Sequence, residues 1–253
     1  SEKNIVPGIK VDKGTVGFSQ FPEEKVTEGL DGLAKRCTDY KELGAKFAKW
    51  RAVFPINSYS QSRLAIETNA LLLSRYASVC KQVGLVPIVE PEVLMDGSHS
   101  IDLCEEVTTT VLESVFHHLY HQRVVLEAII LKPNMILYGK ENPQKATAEE
   151  VAERTIRTLR RTVPAAVPAV AFLSGGQTPL EATKNLSAIN HSGNQPWILT
   201  FSFSRALQEL PLNHWRGKKE NVIEAQKIFL HRAHCNSAAR SGNYSEAVES
   251  AVE

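Results

Sequence analysis

Glu127-Ala128-Ile129-Ile130-Leu131-Lys132-Pro133-Asn134-Met135 is the stretch whose reading decides the fold. An apolar, largely β-branched run ends in a lysine, and a proline follows at once. Val124, Val125, Ile129, Ile130 and Leu131 predict one strand buried on both faces, the pattern of a parallel sheet. Pro133 has no N–H to give to a ladder, so pairing should stop beside it. Lys132 and Asn134 lie two apart, and a continuing strand would point them to one side. An amine at the end of a buried strand, inside an apolar collar, is favoured as a neutral nucleophile over an ammonium ion. The plainer alternative is a lysine that caps a strand and snorkels to solvent.

The flanking sequence repeats one alternation. Apolar strand candidates cover Ile5–Asp12, Phe47–Phe54, Leu85–Val93, the Lys132 strand, Ala169–Gly176 and Trp197–Arg205. Helical patterns lie between and after them at about Leu30–Leu43, Ser60–Val83, Ser100–Gln122, Thr147–Arg161, from Thr178-Pro179 onward, and Lys219–Ala239. Residues 13–28 read as a polar loop. Strands alternating with helices at this spacing predict an α/β fold with parallel strands and right-handed crossovers. A length of 253 residues matches an eight-stranded (β/α) barrel, yet the count is six units. The chain is therefore either an open doubly wound sheet or a barrel lacking two units.

Composition excludes several classes. A hydrophobic share of 43% beside 23% charged residues is that of an ordinary globular domain. The net charge of +1 offers no global attraction to nucleic acid or an anionic membrane. Cys37, Cys80, Cys104 and Cys235 are far apart and form no CxxC, so we read them as reduced thiols of a cytosolic protein. The start is not a signal peptide, and the apolar runs fall short of the roughly 20 residues of a membrane span.

The C-terminal ends of the strand candidates are unusually polar, and in a parallel barrel chemistry sits there. They carry Lys10 and Asp12, Lys49 and Arg51, Glu90 and Glu92, Lys132 and Asn134, Ser174-Gly175-Gly176, and Ser202 with Arg205. The first four pairs have spacing two, so each pair faces one side of its strand. Lys49 near Lys132 would help keep the second amine uncharged, and Glu90, crowded by Glu92, would serve as acid and base. Ser174-Gly175-Gly176 before a helix offers backbone donors to a phosphate, and Arg205 a bidentate grip. Lys10 and Arg51 would hold a second anionic group. Together these residues describe Schiff-base chemistry on a bisphosphorylated carbonyl compound.

The motifs Gly8-Ile9-Lys10-Val11-Asp12-Lys13-Gly14, Phe47-Ala48-Lys49-Trp50-Arg51, Val86-Pro87-Ile88-Val89-Glu90-Pro91-Glu92, Leu131-Lys132-Pro133-Asn134-Met135, Phe172-Leu173-Ser174-Gly175-Gly176-Gln177 and Ser202-Phe203-Ser204-Arg205-Ala206-Leu207-Gln208 follow one another in a familiar order. The sequence resembles class I fructose-1,6-bisphosphate aldolase, to about Tyr244. The resemblance implies a (β/α)8 TIM barrel, usually a cytoplasmic homotetramer, that cleaves fructose 1,6-bisphosphate into two triose phosphates without metal or other cofactor. It implies Lys132 as the Schiff-base residue, Glu90 as the proton carrier with Glu92 beside it, and Lys49 as a cation near the sugar hydroxyls. Ser174, Gly175, Ser202, Ser204 and Arg205 would hold the phosphate of the dihydroxyacetone phosphate half, with Lys10 and Arg51 toward the other phosphate. It also implies a phosphorylated sugar as partner, and a cytoskeletal partner such as family members are known to bind.

Departures from the family pattern set further expectations. Its first two β/α units, with an aspartate for carbon–carbon cleavage and serines for the second phosphate, have no counterpart in these residues. Six strands cannot close an eight-stranded barrel, so the missing segment is expected in the whole molecule. The chain reads as a single domain over 1–253, with 240–253 as a flexible C-terminal segment ending Glu249-Ser250-Ala251-Val252-Glu253 where the family ends in tyrosine. Ser204 stands where glycine is usual and Phe203 where tyrosine is. The alternatives are a scaffold paralogue without turnover and an aldolase for a related phosphoketose. His117, His118 and His121, the pair His231 and His234, and the run Arg157–Arg161 read as solvated helix surface. Ser174 has no histidine at a suggestive spacing, which argues against a hydrolase triad.

Overall fold

The computed structural model describes residues 4–56 and 62–251, apart from the side chain of Pro22. Six strands form one parallel sheet: β1 (Gly8–Lys10), β4 (Phe47–Phe54), β5 (Val86–Val93), β6 (Ile130–Leu131), β7 (Ala169–Phe172) and β8 (Ile198–Phe201), paired in that order. Helices α1 (Leu33–Glu42), α2 (Arg63–Val83), α3 (Ile101–His121), α4 (Ala148–Thr162) and α5 (Pro179–His191) lie between successive strands of that sheet. After β8 come α6 (Arg205–Trp215), α7 (Val222–Arg240) and the short α8 (Glu246–Ser250). A strand followed by a helix, five times over with parallel pairing throughout, is the α/β architecture read from the sequence.

Local signals account for the helix ends. Ser62, Ser100 and Thr147 sit at the starts of α2, α3 and α4, and each side chain accepts an N–H from three residues on. Helix α5 opens with a reciprocal capping box between Thr178 and Glu181, with Pro179 at its first position. Gly84, in the left-handed region at φ 76°, ends α2 and turns the chain into β5.

Side chains along β4 and β5 divide between two faces. Ala48, Trp50, Ala52 and Val89 are wholly buried on the helix side, where the Trp50 ring stacks on Tyr76 of α2 with centroids 5.5 Å apart. Lys49, Arg51, Glu90 and Glu92 alternate with them and face the other way. The Tyr76 hydroxyl sits 2.7 Å from the carbonyl of Ala48 and 3.2 Å from that of Ile88, so one group ties α2 to both strands. Tyr76→Phe should therefore lower stability by about 1–2 kcal/mol, the cost of stranding buried acceptors. Urea unfolding would show the midpoint fall with an unchanged slope.

Several elements differ from the sequence reading. Residues 13–28 form a β-hairpin, β2 (Thr15–Phe18) with β3 (Phe21–Thr27), instead of a loop. Polar groups anchor it: buried Glu24 accepts from the N–H and hydroxyl of Ser62 at 2.5 and 2.6 Å, and the Thr27 hydroxyl donates to the carbonyl of Arg51 at 2.9 Å. Hydrophobic periodicity is blind to such anchoring. The fourth strand shrinks to Ile130–Leu131, because Leu126–Ala128 coil into a 3₁₀ turn and Val125 faces solvent. Arg205 leaves β8 and opens α6, a helix that the apolar pattern did not mark. The expected start of α2 at Ser60 lies outside the described residues. The C-terminal segment carries α8, whose Glu249 pairs with Arg232 of α7 and accepts from the Tyr244 hydroxyl at 2.8 Å. Among the described residues, no helix is long and apolar enough to cross a membrane.

Candidate active site

Strand register assembles the site. Arg51 lies opposite Glu90 and Val53 opposite Glu92 in the β4–β5 ladder, so each cation on β4 sits one step before a carboxylate on β5. Lys49 Nζ lies 2.7 Å from Glu90 Oε2. Lys132 Nζ lies 2.8 Å from Glu90 Oε1. One carboxylate thus bridges two amines and uses a separate oxygen for each. The Glu90 side chain is 4% exposed, Lys132 8% and Lys49 24%, so Lys49 lies at the open side of the bridge and Lys132 deeper in. Lys132 is fixed by backbone as well: its N–H donates to the carbonyl of Val89 at 2.8 Å, and Pro133 accepts from Leu173 at 3.0 Å.

Glu92 has a cation of its own. It pairs with the Arg51 guanidinium. Burial alone would lower the pKa of Arg51, but the hydrogen bond and the charge of Glu92 outweigh burial and raise it. Arg51 stays a fixed cation at the mouth. Asp12, almost fully buried, accepts from Lys10, from the Gly14 N–H at 3.1 Å and from the Arg51 N–H at 3.2 Å. Asp12 is the organising residue that the sequence placed at a strand end without a role. Its signal was the spacing of two from Lys10, which the ion pair uses directly.

Asn134 leaves the Lys132 cluster. Its side chain accepts from the Val93 N–H at 3.1 Å and donates to the Thr108 hydroxyl at 3.1 Å, which ties the chain beyond β6 to β5 and to α3. The ladder has ended at Leu131, so the alternation of two no longer holds.

The phosphate candidates lie along the neighbouring strand ends. Ser174 is buried, and Gly175 approaches Glu92 so closely that a Cβ there would meet Oε1 at 3.0 Å. Gly176 has φ +83°, with Met95 filling the space a side chain would need. Ser202 donates its N–H to the carbonyl of Phe172 at 2.9 Å, so the ends of β7 and β8 are adjacent. Ser204 and Arg205 are exposed at the N-terminal end of α6, with no side-chain cap from Ser204. The structure thus joins Lys132, Glu90, Lys49, Glu92, Arg51 and Gly175 through direct contacts or close approach. It leaves Arg205 outward and pairs Lys10 with Asp12.

The surface residues also found partners. His118 lies 2.8 Å from Glu67 across α2 and α3, and Arg157 joins Glu105 at 2.6 Å across α3 and α4. His117 and His121 are exposed, as read.

The fold and site together define an α/β protein whose parallel sheet carries a lysine–carboxylate–lysine bridge at its strand ends. A family model for class-I fructose-bisphosphate aldolase matches residues 1–253. The chain is 54% identical over 244 residues to the cytosolic fructose-bisphosphate aldolase 4 of Arabidopsis thaliana, covering 96% of this chain and 62% of that one. It is 52% identical over 245 residues to the fructose-bisphosphate aldolase of Dictyostelium discoideum, at 96% and 69% coverage. Among solved structures it superposes on the Plasmodium falciparum aldolase, crystallised with TRAP and a small-molecule inhibitor, with a TM-score of 0.94 and 53% identity over 96% of this chain and 71% of that chain. The chain belongs to the class-I fructose-bisphosphate aldolase family. It spans about two thirds of the length of these relatives.

Proposed function

We propose that this protein is a class I aldolase that takes fructose 1,6-bisphosphate apart, and rejoins the two triose phosphates, through a Schiff base on Lys132. The observation that carries the reading is the placement of Glu90 oxygens 2.8 Å from Lys132 and 2.7 Å from Lys49. Lys132 must shed a proton before it attacks a ketone, and Glu90 is within reach of that proton. The same carboxyl then returns it to the carbinolamine oxygen, which leaves as water while the iminium forms. Lys49 stays on the other Glu90 oxygen and faces the substrate hydroxyls as a cation. Arg51 and Lys10 lie toward one phosphate. Ser174, Gly175, Ser202, Ser204 and Arg205 lie toward the phosphate of the ketone half, which gains from backbone N–H groups and the exposed guanidinium.

The six-stranded sheet fits strands three to eight of a (β/α)8 barrel within one domain, with 240–253 as its C-terminal segment. A cytoplasmic homotetramer that handles phosphorylated sugars follows from the same reading. The test is incubation with dihydroxyacetone phosphate, borohydride reduction and peptide mapping. A reduced adduct on Lys132 supports the reading, and a folded chain that yields none overturns it.

Gly175→Ala gives a finer check. The added methyl must push the Glu92 carboxylate or Leu173 aside by a few tenths of an ångström, which disturbs Arg51. Expected is a rise on the order of tenfold in KM for the phosphorylated substrate with a smaller change in kcat, the pattern of lost uniform binding.

A further inference from the structure

We propose that His231, Cys235 and Glu249 form a zinc(II) site that fastens the C-terminal helix α8 to α7. The three ligand atoms, an imidazole nitrogen, a thiol sulfur and a carboxylate oxygen, all lie within 4.8 Å of one another. His231 and Cys235 are four apart on α7, so one helical face presents both, and Glu249 comes from α8. His231 Nε2 already lies 3.5 Å from Cys235 Sγ. Donors at 2.0–2.3 Å from a tetrahedral ion stand roughly 3.3–3.8 Å apart, so the carboxylate has to close in by about 1 Å. The mixed nitrogen, sulfur and oxygen set suits zinc better than the hard cations that select oxygen alone.

The surroundings supply the remaining parts. A cavity of about 330 Å³ beside the cluster, lined by His231, Arg232, His234 and Glu249 among others, leaves room for a water as fourth ligand. Arg232 and Tyr244 bond the Glu249 carboxylate and orient it, as outer partners of metal ligands do. Arg232 opposes a dication by its charge, but it is also held 2.6 Å from the Thr183 hydroxyl and can keep that bond as the carboxylate turns. Zinc binds the thiolate, so the Zn–S bond forms as the S–H bond breaks, and the proton leaves to solvent. None of the three residues takes part in the Schiff-base chemistry.

Cobalt(II) titration of the full chain is the test, because cobalt reports a thiolate ligand through a sulfur-to-metal charge-transfer band. Expected is a one-to-one band that zinc(II) abolishes by displacement, that Cys235→Ser removes, and that His231→Gln weakens at least tenfold in affinity. Zinc should raise the Tm of the parent chain by more than that of either variant at the same concentration. Cys235 is fully buried, so its variant can fail to fold; His231 is half-buried, and a folded His231→Gln chain decides alone. No band in the parent chain, or a band unchanged by His231→Gln, overturns the site.

Discussion

Lys132→Met should abolish the borohydride-trapped adduct and lower turnover on the order of 10⁴-fold or more, the scale on which removing a covalent nucleophile acts. Methionine has nearly the shape of the lysine stem and no amine, so the buried space of the side chain stays filled. The substitution also frees one oxygen of Glu90, which keeps Lys49 at 2.7 Å on the other. The remaining pair is neutral, so the fold should survive, and far-UV circular dichroism should match the parent chain. A second readout separates loss of chemistry from loss of binding. Iminium formation acidifies the adjacent carbon of dihydroxyacetone phosphate, so the parent chain should exchange a proton there with deuterium from the solvent, seen by NMR. Lys132→Met should not, even at saturating ligand. Exchange at the parental rate in the variant would remove Lys132 from the mechanism.

The reach of the sequence differs from element to element for physical reasons. Strand β4 was legible because Ala48, Trp50 and Ala52 alternate with Lys49 and Arg51, and the observed strand is Phe47–Phe54. Helix α5 was legible because Thr178, Pro179 and Glu181 are a complete capping signal. Strand β6 was overdrawn because the run is apolar through Val125, which faces solvent, and Leu126, which belongs to a 3₁₀ turn with no fully buried residue. The hairpin was missed because Glu24 and Thr27 hold it by hydrogen bonds to distant residues, and no local pattern records those. The site shows the same division. Spacing placed Lys49, Glu90 and Lys132 on inward positions, yet only the β4–β5 and β5–β6 registers together set Glu90 between the two amines, and the first gives Glu92 to Arg51. Spacing of two shows the Asp12–Lys10 pair, but not the bond from the Arg51 N–H to Asp12 across 39 residues, nor the Tyr76 hydroxyl bonded to the carbonyl of Ala48.

Glu90→Gln should slow Schiff-base formation by about 10²–10⁴-fold while leaving Lys132 able to form the adduct in the end, since the amide cannot carry a proton between the amine and the carbinolamine oxygen. The variant has a second expected effect that must be kept apart from the first. Removing the charge leaves two amines facing a buried neutral side chain, and breaking a buried pair in this way costs up to about 3–5 kcal/mol, less here because Lys49 is partly open to water. The double variant Lys49→Met with Glu90→Gln removes the surplus positive charge and should recover most of that stability in urea unfolding. It should not recover the rate, because no proton carrier has been restored. If instead the double variant regained parental adduct formation, Glu90 would be a structural counter-ion that merely positions Lys132. If Glu90→Gln alone kept the parental rate, the bridge between Lys49 and Lys132 would have no part in the proton transfer that the geometry supports.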